Sequence, residues 1–237
     1  LQAALKQAVK ERLIPYNPCE NCRIPPKDKK EMTILPPEKI GRYLQEAEKY
    51  GVLPMFYLEL SSGLRRGELL ALQWTDLNVK ERILTVNKQV TRMEGELDVT
   101  EPKTKNSVRK VALSQQAVDL LVQEHEQHPD NPILFPSPRT GGYWSPDAVS
   151  RINRKLLKTA GIEEHVRFHD LRHTFATMAI SSGVDVKTLS SMLGHYSAGF
   201  TLDTYTHITN DMQRGAAEKI GGFMESATAT TTPEPPD

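Results

Sequence analysis

A set of basic side chains and one tyrosine suits this chain to gripping a phosphate and attacking it. His169 and Arg172 stand in Phe168-His169-Asp170-Leu171-Arg172-His173, His195 closes Leu193-Gly194-His195, and Tyr205 lies in Thr204-Tyr205-Thr206. Arg65 and Lys103 add two cations upstream. Arg65 and Arg172 can each offer a planar guanidinium fork to nonbridging phosphate oxygens, neutralising charge that redistributes during displacement. His169 and His195 can donate hydrogen bonds or move protons. Tyr205 is then the candidate nucleophile, forming a covalent phosphotyrosine that keeps the energy of the broken phosphodiester available for rejoining. A phenol loses its proton with a pKa of about 10, so the arginines and a base such as His169 must favour deprotonation. The departing sugar oxygen needs a proton, and Lys103 is the candidate general acid. Such chemistry calls for no metal and no other cofactor, and the sequence contains no P-loop, no carboxylate cluster for paired magnesium ions and no His-Glu-x-x-His motif.

These residues must be positioned by mostly helical elements. Pro36-Pro37 opens a helix carrying Ile40, Leu44 and Ala47 and stopping at Gly51, and a second apolar helix runs from about Leu53 to Ser61 before Gly63. Arg65 then precedes a new helix, where Glu68 can fix its guanidinium or the local backbone. Alternation at Ile83, Thr85 and Val90, and again at Val108, Val111 and Leu113, predicts one small antiparallel sheet turning at Glu94-Gly95-Glu96, with Lys103 leading into its last strand. Ser114 and Ser145-Pro146-Asp147 start two further helices. The helix from His169 buries Leu171, Phe175 and Met178, with Ala179 or Ile180. The same helical count puts His169, Arg172 and His173 on a free or flanking surface. A short helix with Val186, Leu189 and Met192 closes at Gly194, and Met212, Ala216, Ile220 and Phe223 mark a last amphipathic helix ending at Gly221-Gly222. The fold class expected is mainly α with a small antiparallel β-sheet.

The chain is 237 residues long, enough for one large domain with appendages. It has no apolar run of the roughly 18 residues needed to span a membrane and no signal pattern at its start, so a cytoplasmic protein without a membrane partner is expected. It opens on Leu1 inside a helical pattern, and the expectation is the C-terminal part of a longer protein. Thirty Lys and Arg balance thirty Asp and Glu, so total charge does not announce nucleic acid. Local runs do more: Lys103, Lys105, Arg109 and Lys110 form one acid-free stretch, and Arg151, Arg154, Lys155 and Lys158 another. Cys19 and Cys22 have the spacing of half a zinc site, but no neighbouring Cys or His completes it, and packing at a domain junction is expected instead.

Taken together and in order, Gly-Leu-Arg-x-x-Glu-Leu, Pro-Lys-Thr, His-x-x-Arg-His-Thr-Phe-Ala, Leu-Gly-His and Thr-Tyr resemble the catalytic domain of the tyrosine recombinases, the phage integrase family, over about Thr33 to Phe223. The details look most like integrases of conjugative transposons and temperate phages. The resemblance implies that Arg65, Lys103, His169, Arg172, His195 and Tyr205 are the catalytic set, while Arg66 occupies a variable position. It implies a 3′-phosphotyrosyl intermediate, a free 5′-hydroxyl, and strand exchange on double-stranded DNA within a synaptic tetramer, with accessory DNA-bending or excision proteins as possible partners. A bacterial, nucleoid-associated location goes with that activity. The implied organisation is the end of a core-binding domain at 1–22, a linker at 23–32, a catalytic domain with an exchanged C-terminal helix at 33–223, and a disordered tail at 224–237. Two readings share the chemistry, a Xer-like resolvase and a type IB topoisomerase, and a third is a DNA-binding module without catalysis.

Overall fold

The computed structural model describes residues 1–22, 33–93, 95–100, 108–194 and 198–229, with backbone alone for 200, 203, 206–216 and 227–229. They fall into two compact units, Leu1–Glu31 and Met32–Asp237. In the first unit, helix α1 (Gln2–Lys10) buries no residue. The Gln2 amide donates to the Cys19 carbonyl at 3.0 Å, and Cys19 and Cys22 carry free thiols.

The second unit is mainly helical with small antiparallel sheets. Helix α2 (Pro37–Lys49) has proline in its first turn and lysine in its last, a placement that suits both ends of the helix. Helix α3 (Leu53–Ser62) ends on Gly63 in the left-handed region, at φ 60°. A side chain there is excluded twice over, because a Cβ would also lie 2.3 Å from Phe175 Cδ1. Helix α4 (Arg66–Ala71) follows at once. Helices α5 (Gln115–Glu126) and α6 (Pro146–Thr159) begin at Ser114 and Ser145, and the Ser114 hydroxyl accepts from the Ala117 N–H at 3.2 Å. Helices α7 (Phe168–Ser181) and α8 (Val186–Leu193) are capped by Arg167-Asp170 and Asp185 contacts.

The strands differ from the single sheet expected. Strands β1 (Leu77–Asn78), β2 (Ile83–Val86) and β5 (Arg109–Ala112) form one antiparallel sheet in the order β1-β2-β5, whereas β3 (Gln89–Met93) and β4 (Glu96–Thr100) form a separate hairpin. β5 pairs back onto β2, with Val86 opposite Arg109, because Leu84 and Val111 must both reach the main core. The pattern shows which residues alternate, but not which strand they meet.

Helix α9 (Ala198–Ala229) is bent at Tyr205, where φ −117° and ψ 25° leave the helical range. It runs through Gly221 and Gly222, where the sequence reading ends it, so residues 224–229 are helical, which corrects the disordered tail expected at 224–237 for this part of it. Glycine inside a helix costs about 1 kcal/mol relative to alanine. Alanine, methionine and glutamate on either side favour continuation.

Two apolar clusters organise the unit. The larger joins α2 to α7 with the three-stranded sheet, and Phe56 packs edge-on between Tyr43 and Phe168 at 5.8 and 5.7 Å. The smaller comprises Phe175, Ala176, Ile180, Leu189, Leu193 and Tyr205, tying α7, α8 and α9 together.

Candidate active site

Two helix ends create the centre of the site. Helix α3 stops at Gly63, and α8 stops at Gly194, which is also left-handed at φ 64°. Each end exposes carbonyls with the partial negative charge of a helix C-terminus. Arg172 on α7 spans the two ends. Its Nη1 donates to the Gly63 carbonyl and its Nη2 to the Leu193 carbonyl, both at 2.7 Å. Arg65 reaches the same corner, where its Nη2 donates to the Gly194 carbonyl at 3.0 Å.

Arg172 is 3% exposed, which corrects its assignment to the free or flanking surface of the helix. The helical count is right, but the surface facing α3 and α8 is covered by those two helices. Burial, with the charge of Arg65, lowers the Arg172 pKa to about 10. Arg172 is held mainly by neutral carbonyls, so it keeps its cationic character.

Arg65 is anchored through Glu68, as the sequence suggests. The Arg65 N–H donates to Glu68 Oε2 and its Nη1 to Glu68 Oε1, both at 2.8 Å. Arg109 completes this group, and the sequence reading missed its role by counting it only as part of an acid-free basic stretch. From β5 it donates to both Glu68 oxygens, at 3.0 and 2.8 Å, while its Nε donates to the Met192 carbonyl at 2.6 Å. A Cβ at Gly194 would sit 3.0 Å from Arg109 Nη1, so Gly194 also makes room for this side chain. A signal was present: Arg109 shares the strand parity of buried Val111. Burial raises the Glu68 pKa, but Arg109 and Arg65 outweigh it and hold the carboxyl below its usual range.

His169, in the first turn of α7, keeps an exposed edge, while partial desolvation of its ring by the neighbouring side chains, together with the charge of Arg172, lowers its pKa. Its ring meets that of His173 edge-on at 5.1 Å. His173 in turn places Nδ1 2.8 Å from the Tyr205 hydroxyl. Thus the histidine at the tyrosine is His173, where the sequence reading named His169. Tyr205 is 1% exposed, and burial pushes its pKa up to about 12 against the opposing charge of Arg172. Arg65, His169, Arg172 and Tyr205 therefore lie around one end of α7. Lys103 and His195 fall outside the described residues.

Beside His169 opens a cavity of about 600 Å³, with Arg66, Ser150, Arg154, His165 and Arg167 among its lining residues. Arg66 is fixed there by donating to the Ser150 hydroxyl at 2.6 Å and the Pro146 carbonyl at 3.2 Å. Three of these side chains are arginines, and the N-terminus of α7 adds its positive end. Among the described residues, no group of three or more His, Cys, Asp and Glu side chains could hold a metal ion, and no helix is long and apolar enough to cross a membrane.

The sequence profile of the phage integrase family matches residues 35–212. The chain is similar to the ICEBs1 integrase of Bacillus subtilis (strain 168), at 31% identity over 230 residues covering 92% of this chain and 62% of that protein. It is also 29% identical to a XerC-like tyrosine recombinase of Caldanaerobacter subterraneus subsp. tengcongensis, over 94% of this chain and 64% of that one. The chain thus spans just under two thirds of the length of these relatives. Its fold is similar to that of the Tn1549 transposon integrase solved with a circular intermediate DNA, with a TM-score of 0.78 at 22% identity, covering 92% of this chain and 76% of the other. XerA recombinase is similar at a TM-score of 0.65 and 27% identity, over 81% of this chain and 67% of that one.

Proposed function

The chain belongs to the phage integrase family of tyrosine recombinases, and from that premise we propose that it cleaves and rejoins DNA through a covalent 3′-phosphotyrosine on Tyr205, integrating or excising a mobile element. The observation that carries this reading is the corner where Arg65 and Arg172 meet, anchored on the carbonyls of Gly63, Leu193 and Gly194. A phosphodiester entering beside it meets two guanidiniums already oriented, so little reorganisation is left for the moment of reaction.

In the proposed reaction, the Tyr205 oxygen bonds to phosphorus as the bond to the 5′ oxygen breaks. Lys103 gives that oxygen its proton. Arg65 and Arg172 stabilise the charge on the nonbridging oxygens, with His169 and His195 as further donors. Rejoining is the same path in reverse. The basic cavity beside His169 supports the docking of flanking DNA backbone, whose phosphates account for most sequence-independent affinity.

The proposed organisation has residues 1–22 ending a core-binding domain, 23–32 as linker, and a catalytic domain from 33 whose last helix runs on past 223 to Ala229. Ile220, Phe223 and Met224 are 64%, 73% and 56% exposed on the last helix, which supports docking of this segment on a neighbouring protomer within a tetramer on two duplexes. Accessory DNA-bending or excision proteins, and association with the bacterial nucleoid, are part of the same proposal. The similarity to a XerC-like protein favours a second reading, a resolvase acting at a chromosomal site.

Incubation with nicked duplexes from the element ends and from chromosomal resolution sites tests both readings. A 3′-linked protein adduct that depends on Tyr205 is expected on the former. An adduct on chromosomal sites alone would select the resolvase, and none on either would sink the cleavage reading.

A further inference from the structure

His173 takes no part in the catalytic set above, yet its ring nitrogen meets the hydroxyl assigned to attack. We propose, resting on the reading of Tyr205 as nucleophile, that His173 is the base that takes the Tyr205 proton during cleavage and returns it during rejoining. Its Nδ1 lies 2.8 Å from the Tyr205 oxygen, within the distance at which a proton passes directly. Tyr205 is 1% exposed, which leaves bulk water little access to the same proton.

The surroundings keep the ring ready to accept. On its own helix His173 faces His169, Asp170, Arg172 and Arg167, and from α9 it faces Tyr205. Burial first, then the charge of His169, with the arginines opposing Asp170, lower its pKa to about 4. The ring is therefore neutral at physiological pH and carries a single N–H. With that hydrogen on Nε2, the Nδ1 lone pair accepts the phenol O–H. His169, one turn earlier and exposed, is left to serve the phosphate.

The proton does not move in the resting site, because the phenol holds it far more tightly than the imidazole does. It moves as the tyrosyl oxygen bonds to phosphorus. In that step the oxygen–phosphorus bond forms, the bond from phosphorus to the 5′ oxygen breaks, the phenol proton passes to Nδ1, and Lys103 protonates the 5′ oxygen. In rejoining, the 5′-hydroxyl returns a proton to Lys103 and the imidazolium reprotonates the departing phenolate. Protons and electron pairs balance, and His173 is neutral again.

The test compares the whole chain with His173→Asn, whose amide oxygen can accept the tyrosine hydrogen bond without being basic, and with His173→Ala. On nicked duplexes from the element ends, both variants are expected to lose on the order of 10²-fold or more in adduct formation at pH 7. The deficit should persist as pH rises, because hydroxide has as little access to the buried phenol as water does. A duplex with sulfur at the bridging 5′ position, whose thiolate leaves without a proton, should rescue Lys103→Ala but not His173→Asn. Cleavage by His173→Asn within a few-fold of wild type, with an unchanged pH profile, would leave His173 a positioning role and overturn the proposal. Nitrogen NMR of the free chain supplies a DNA-independent arm. An unprotonated Nδ1 that shifts in Tyr205→Phe is expected, and a protonated Nδ1 would also overturn it. Full adduct formation by Tyr205→Phe would instead remove the nucleophile reading itself.

Discussion

Arg109 and Glu68 form a two-pronged ion pair, at 3.0 and 2.8 Å, with both side chains almost wholly buried. The pair links β5 to α4 and, through the Met192 carbonyl, to α8. Because Glu68 also holds Arg65, Arg109 acts on the Arg65 guanidinium through their shared carboxylate.

Removing one member of a buried pair leaves the other charged and alone. Arg109→Ala is therefore expected to cost about 3–5 kcal/mol of stability, read by denaturant unfolding. Arg109→Lys keeps the charge but cannot satisfy both Glu68 oxygens and the Met192 carbonyl, and it should lower the adduct rate more than it lowers stability. Wild-type stability in Arg109→Ala would refute the buried-pair account.

Arg172→Lys should be nearly as damaging to cleavage as Arg172→Ala. One ammonium cannot bridge the Gly63 and Leu193 carbonyls and still present a fork to phosphate. The expected loss is on the order of 10²–10³ in the single-turnover cleavage rate, the scale of one oriented donor at a transition state. A lysine variant cleaving at half the normal rate would show that the fork is dispensable.

Glycines 63 and 51 offer a paired test, since both have positive φ, at 60° and 74°. Gly51→Ala meets no atom within 4 Å and should cost about 1–2 kcal/mol for its backbone conformation alone. Gly63→Ala adds the collision with Phe175, for a further 1–3 kcal/mol or so, and displaces a carbonyl that anchors Arg172. Thermal unfolding should rank them in that order, with only Gly63→Ala impairing cleavage.

Glu59 on α3 is fully buried, and no described residue bonds either carboxylate oxygen. Burial pushes its pKa well above the usual carboxylate range, against the opposing charge of Arg172. The unfolded chain releases this proton from about pH 4.3 upward while the folded chain retains it. Stability from this group is thus complete below that pH and declines as pH rises toward the folded value. Glu59→Gln should gain on wild type at pH 8 and gain nothing near pH 4. Equal melting shifts at both values would contradict this assignment.

Much of the scaffold was legible because its signals are local. Pro37, Gly63, Ser114, Pro146 and Gly194 mark helix ends through their own backbone or side-chain geometry, and Arg65 with Glu68 sits within one helical turn. What escaped depends on partners distant in sequence. Arg172 is buried by α3 and α8, Arg109 finds Glu68 across 41 positions, and His173 finds Tyr205 across 32. The pairing of β5 with β2 is likewise decided by a shared core and not by any turn between them.

The bend of α9 at Tyr205 makes the proposed nucleophile a fulcrum. Fifteen residues of helix separate it from Ile220, an arm of about 22 Å at 1.5 Å per residue. A small swing of the distant apolar end therefore becomes torque at the phenol, and in the proposed assembly a neighbour seizing that end would gain mechanical purchase on the proposed nucleophile.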